Sequence, residues 1–204
     1  MASSVARKQE AVVIGAAMLW LALVGFGMSV LWSYSTTPGR AGTPPRNWPA
    51  SASVSRHSGR ATLLIFTHPE CECSRASLSE LAILMAHSGS LLDATVFFSL
   101  PARQATLWKT SELFSKARAI PGVRVVDDPE SKLAQLFGAH TSGETLLYDG
   151  SGRLRFHGGI TAFRGHSGDN AGRSVITAIL WNKIPQAKAS PATTPVFGCS
   201  LRDE

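Results

Sequence analysis

The chain has 204 residues, 44% hydrophobic and 17% charged, with a formal net charge of +6 and a sequence pI near 9.7. That length accommodates one domain with a substantial core plus an appendage, and not comfortably two domains. The Lys and Arg residues are scattered singly and form no basic stretch, which argues against nucleic acid as a partner.

Residues 1–10 carry Arg7 and Lys8 against Glu10. They precede "AVVIGAAMLWLALVGFGMSVLW", Ala11 to Trp32, which holds no charge. About 20 such residues cross a bilayer as a helix, so a transmembrane anchor is expected over 11–33, with Trp32 and Tyr34 as an aromatic belt. The run exceeds the roughly 7–15 residues of a signal-peptide core, and no A-x-A-like cleavage site follows closely, so the anchor is expected to stay uncleaved. The basic end then remains cytoplasmic, and the rest of a single-pass inner-membrane protein lies in the periplasm or outside the cell. In such a compartment disulfides persist, and an odd count of three cysteines leaves at least one thiol for chemistry or for a partner.

Residues 34–60 are rich in Ser, Pro, Gly, Thr and Arg without an apolar period, and read as a tether. From Ala61 short apolar runs alternate with helical patterns, predicting an α/β domain over 61–184. "TLLIFT" (Thr62 to Thr67) is a continuous apolar strand that should be covered on both faces. "SRASLSELAILMAH" spaces Leu78, Leu81, Ala82 and Met85 as a helix, with Ser74 as its cap. Strand "DATVFFSL", helix "QATLWKTSELFSKAR" and strand "VRVVDD" come next. A short helix is expected to open at Asp128 with Pro129 in its first position and to close around Gly138. "ETLLYDGSGRLRFHGG" reads as a hairpin turning at "DGSG". Asn170 caps a last helix ending before Pro185. The predicted order is β-α-β-α-β-α-β-β-α, followed by a tail over 185–204 that contains Cys199.

"HPECECSR" (residues 68–75) thus places Cys71 and Cys73 at a strand-to-helix turn. A helix N-terminus lowers a thiol pKa, and Arg75 adds a positive charge against Glu70 and Glu72, so Cys71 is expected to be an activated thiolate. A Cys71–Cys73 disulfide would close a small ring near the limit of the usual ~4.4–6.8 Å Cα window, strained and therefore easily exchanged. Cys199, in "TPVFGCSL", is a second candidate partner, because Val196 and Phe197 give that tail something apolar to dock with. Two soft thiolates, with Cys199 or the imidazole of His68, also suit Cu(I), which makes Cys71, Cys73 and His68 a candidate copper set. Zinc would need four ligands, and one clear pair is visible. His140, His157 and His166 lie near loops that a sheet fold would bring towards Cys71. "GGITAFRGHSGDNAG" could let a substrate chain approach at Gly158 and Gly159, with Arg164 and His166 on the rim, or could simply lead into the last helix. No phosphate-binding glycine motif is present.

The element order with a cysteine after the first strand resembles the thioredoxin-like superfamily. "VDDPESKLAQLFGAHTSGETLLYDGSGRL" is most similar to its membrane-anchored TlpA and ResA branch. "HPECECSRAS" and the closing "TPVFGC" are similar to RedB-type proteins. The resemblance covers about residues 60–184 and implies a thioredoxin-like fold and thiol–disulfide oxidoreductase activity on protein thiols or disulfides. It places Cys71 on the attacking cysteine; read from the residues themselves, Cys73 or Cys199 is expected to resolve the mixed disulfide, and Arg75 with the helix dipole to stabilise the thiolate. It also marks two departures: Ser74 stands where the family has its resolving cysteine, and Gly143 where it has a cis-proline that keeps metals away. Those departures leave copper binding or delivery, and a domain that binds partners without turnover, as alternatives.

Overall fold

The computed structural model describes residues 2–57, 59–100, 111–182 and 190–202, and the chain divides into two compact units, Met1–Thr37 and Pro38–Glu204. The first is helix α1 (Ala2–Thr36). Its stretch Gln9–Thr36 has 28 residues, and an 18-residue window within it reaches a mean hydropathy of 2.2 with none of that window buried. At 1.5 Å per residue it is about 42 Å long, more than the roughly 30 Å hydrocarbon core of a bilayer, so it is a candidate membrane span by length and composition.

The second unit is built on a six-stranded sheet. Its elements are β1 (Ala61–Thr67), α2 (Glu72–Ser88), β2 (Leu92–Leu100), α3 (Glu112–Ala119), β3 (Val123–Pro129), α4 (Lys132–Leu136), β4 (Glu144–Tyr148), β5 (Leu154–Gly158), α5 (Ala171–Leu180) and β6 (Ala192–Thr193). The strand order is β3-β2-β1-β4-β5-β6. β1 runs parallel to β2 and β2 to β3, while β4 is antiparallel to both β1 and β5. This is the thioredoxin-like α/β arrangement: a central β1 with parallel crossovers on one side, an antiparallel hairpin on the other, and helices on both faces.

β1 is apolar at every central position because both its faces are covered. Leu63 and Ile65 join one core with Leu78, Leu81, Leu84, Phe98, Phe114 and Ile176, beneath α2, α3 and α5. Leu64 and Phe66 point the other way, into a second core with Phe97, Ala134, Phe137, Leu146 and Tyr148.

The structure departs from the sequence-based expectation in three places. Residues 38–57, read as a tether, lie along the domain. Trp48 packs edge-on to Phe137 (5.1 Å) and Tyr148 (5.3 Å), and the Tyr148 hydroxyl donates to Pro45 O. Thr43 N–H donates to Gly138 O, at a glycine with φ of 66° whose absent Cβ leaves room for the strap. One tryptophan anchors a segment whose composition otherwise reads as linker. Pro129 ends β3 instead of starting a helix, yet the Asp128 carboxylate still caps α4 by accepting from Leu133 N and Ala134 N. α3 begins at Glu112 behind the capping Ser111, and the earlier half of that predicted helix lies outside the described residues.

Candidate functional site

After β1 the chain turns through His68, Pro69 and Glu70, and Cys71 N–H donates to His68 O. Cys71 is the N-cap of α2, with extended φ, ψ of −84° and 112° and no side-chain cap bond, so its sulfur faces the positive end of a 17-residue helix. Cys71 is 3% exposed and Cys73 is 6% exposed.

Ser74, expected as the helix cap, has a different task. It is fully buried, donates to His68 O, and hydrogen-bonds Ser142 Oγ at 2.8 Å. Ser142 Oγ accepts from His68 N–H, and Ser142 N–H donates to Cys199 O (2.8 Å). The position where the resembled family carries a second cysteine is therefore a serine tie between the turn and the loop before β4. Gly143, at the family's cis-proline position, has φ of 90° and donates to Phe66 O.

Residues 190–202 form an arm that returns across this site. β6 pairs in parallel with β5, Gly159 N–H donates to Pro195 O, and Gly39 N–H donates to Val196 O. Val196, Phe197 and Leu201 are buried, with Phe197 6.2 Å from the Phe163 ring. Leu201 N–H donates to His140 O, and Ser200 forms an antiparallel bridge with Thr141. Gly198 passes so close to Ser142 O that any Cβ there would clash. This seating puts Cys199 Sγ 3.2 Å from Cys71 Sγ, with Cys199 N–H also directed at Cys71 Sγ (3.4 Å). All three thiols are free, and Cys199 is the exposed one.

The cluster separates the three thiols electrostatically. The Cys73 thiol donates to Cys71 and lowers its pKa to about 4; burial opposes this, and the Cys199 amide and thiol add to it. Cys73 is pushed strongly upward, first by that same hydrogen bond and then by burial and the Cys71 charge. Cys199 is raised to about 11 by loss of hydration and by its bond to Cys71. At neutral pH Cys71 is the thiolate and its two neighbours are protonated donors. A thiolate is the reacting form in exchange.

Arg75 is engaged by carboxylates. Its guanidinium donates to Glu112 Oε1 (3.0 Å) and lies 3.6 Å from Glu72, so its charge is matched by carboxylates between α2 and α3. His68 accepts from Glu70 N–H at Nδ1 and lines a cavity of about 380 Å³ with Ser99, Leu100, Ser131 and Leu201. His140 N–H donates to Glu144, His157 lines a separate cavity with Glu144 and Val196, and His166 stacks edge-on to Phe163 at 6.0 Å. Among the described residues no three His, Cys, Asp or Glu side chains gather as a metal-holding group.

The glycine-rich loop before α5 does reach the site, since Arg164 donates to Gly198 O (2.7 Å), next to Cys199. Sequence reasoning missed what holds it there. Glu80, fully buried on α2, accepts from Gly168 N–H (2.7 Å), Asn170 Nδ2 (2.9 Å) and Arg173 Nη1 (2.6 Å). Its helical spacing with Ser77 and Leu84 was the available signal: a carboxylate on an apolar face needs partners. Glu80→Ala is expected to lower the unfolding free energy by about 3–5 kcal/mol, because it removes the acceptor of Gly168 N–H and Asn170 Nδ2 and leaves the half-buried Arg173 with the exposed Asp169 carboxylate alone. Chemical denaturation reads the loss, and limited proteolysis should cut the variant between residues 160 and 170.

No family model matches this sequence, nor does any curated protein. Among solved structures, an uncharacterized conserved protein from Geobacillus kaustophilus aligns over 83% of this chain and 93% of its own, with TM-score 0.58 and 17% identity. A hypothetical protein from Sinorhizobium meliloti 1021, SMc02350, covers 82% of this chain and 94% of its own, with TM-score 0.55 and 22% identity. The pneumococcal exposed lipoprotein thioredoxin Etrx1 from Streptococcus pneumoniae strain TIGR4 aligns over 62% of this chain and 87% of its own, with TM-score 0.45 and 18% identity. For the first two, at these identities, the likeness is one of fold.

Proposed function

We propose that the domain carries out thiol–disulfide exchange with protein thiols or disulfides through a redox pair formed by Cys71 and Cys199, with α1 tethering it to the outer side of a cytoplasmic membrane. The observation that carries this reading is the 3.2 Å approach of the two sulfurs at the N-terminus of α2. A disulfide bond of about 2.05 Å needs a closing movement of only about 1 Å. Cys71 supplies the thiolate, Cys199 is its partner, and Cys73 serves as a donor that stays reduced. The missing C-x-x-C pair is thereby replaced by a pair drawn from two distant segments, in line with the RedB-type likeness of "HPECECSRAS" and "TPVFGC".

Peptide mass mapping after exposure to oxidised glutathione tests the reading. One Cys71–Cys199 disulfide with Cys73 free is expected, and Cys199→Ser should abolish insulin-disulfide reduction. Three free thiols after that treatment would remove the exchange function. In that case stoichiometric Cu(I) binding lost in Cys73→Ser would favour copper delivery instead.

A further inference from the structure

Of the three thiols only Cys199 faces solvent, while Cys71 lies beneath the arm at 3% exposure. An attacking thiolate must reach a sulfur of the disulfide from outside, so access decides which sulfur is attacked. We propose that Cys199, and not Cys71, is the sulfur that meets the substrate, with Cys71 acting as the buried leaving thiolate. This inference rests on the exchange reading above and reverses the order that the position of Cys71 at the turn implies.

The arm does not have to lift for this reaction. It is held on both sides of Cys199: Ser142 N–H binds Cys199 O, Leu201 N–H binds His140 O, and Arg164 binds Gly198 O. Phe197 and Leu201 are buried on either side of the exposed residue Cys199. A substrate thiolate RS⁻ attacks Cys199 Sγ, forming R–S–S–Cys199 and breaking the bond to Cys71. Cys71 departs as a thiolate into donors that are already in place, the Cys199 amide and the Cys73 thiol. A low-pKa thiol leaves faster, which favours this direction of cleavage. A second substrate thiolate then attacks the R sulfur and releases R–S–S–R′, and the Cys199 thiolate takes up a proton. Two electrons pass from the substrate dithiol to the protein, which acts as a dithiol oxidant. A low-molecular-weight disulfide such as oxidised glutathione restores the Cys71–Cys199 bond by the reverse exchange.

The test uses the full chain, first mapped in its oxidised form and then mixed with excess reduced glutathione. Samples are quenched in acid at short times, free thiols are labelled, and peptides are mapped by mass. Glutathione is expected on Cys199 at least about tenfold more often than on Cys71, with Cys71 labelled as a free thiol. A predominant adduct on Cys71 overturns the proposal while leaving exchange intact. If no Cys71–Cys199 disulfide is found before glutathione is added, the exchange reading itself fails, and this inference with it.

Discussion

Replacing Cys73 by alanine is expected to raise the Cys71 pKa by about 1–2 units. The donated hydrogen bond from Cys73 is the largest influence holding the Cys71 pKa near 4. A bond to a charged group contributes about 1.5–3 kcal/mol, and one unit of pKa corresponds to about 1.36 kcal/mol. The helix terminus and the Cys199 amide remain in the variant, so the pKa stays below the ordinary value of 9.0. The pH dependence of Cys71 alkylation in the reduced chain reads the shift directly. Because the reduced form is stabilised by that thiolate, the Cys71–Cys199 couple should also become more reducing, by about 30–60 mV at neutral pH. An unchanged pKa would assign the depression to the helix terminus and would return Cys73 to the role of a filler in the core.

The second expected result concerns stability against pH, compared between reduced and oxidised chains. The folded pKa of Cys71, about 4, lies below its ordinary 9.0. Between these values the unfolded chain holds a proton that the folded chain has released, so the reduced protein gains stability as pH rises, by up to ~1.4 kcal/mol per unit. That contribution is fully present above pH 9 and is lost as pH falls through 4. Cys199 acts in the opposite sense: raised to about 11, it contributes stability below its ordinary 9.0 that is lost as pH rises through 11. The stability of the reduced chain relative to the oxidised chain should therefore climb from acid towards pH 9 and decline beyond it. The buried acids Asp128 and Glu144, both raised by burial, titrate in either redox form and cancel in the difference. Thermal unfolding across pH in the presence and absence of a phosphine reductant gives that difference, and a flat line from pH 4 to 9 would remove the thiolate assignment.

Much of the frame was legible because the relevant physics is local. The unbroken apolar run of β1 signalled a strand covered on both faces, Asn170 capped α5 as its position implied, and the "DGSG" turn joined β4 to β5. The apolar pair Val196–Phe197 was a sound signal that the segment bearing Cys199 docks, since both side chains are buried. Where local reading erred, a long-range partner had taken over. Ser74 was free to cap its helix by sequence alone, but Ser142 lies 68 positions away and claims it. Arg75 was near Cys71 in number, but Glu112 across the α2–α3 gap holds its charge. Trp48 turned an apparent tether into a strap through two rings that are adjacent only after folding.

The sequence by itself determined that a cysteine would stand at the end of the central strand, at the N-terminus of a helix, and that a second thiol would follow on an arm able to dock. Periodicity, capping and composition act over a few residues, and they suffice for that much. Only the tertiary structure decided how the three thiols divide their work. The division depends on a 3.2 Å contact across 128 positions, on which sulfur the arm leaves exposed, and on which neighbour donates to Cys71. Acidity and access are properties of an enclosed volume, and the residues enclosing this one come from the turn, the loop before α5 and the arm, which no single stretch of sequence contains.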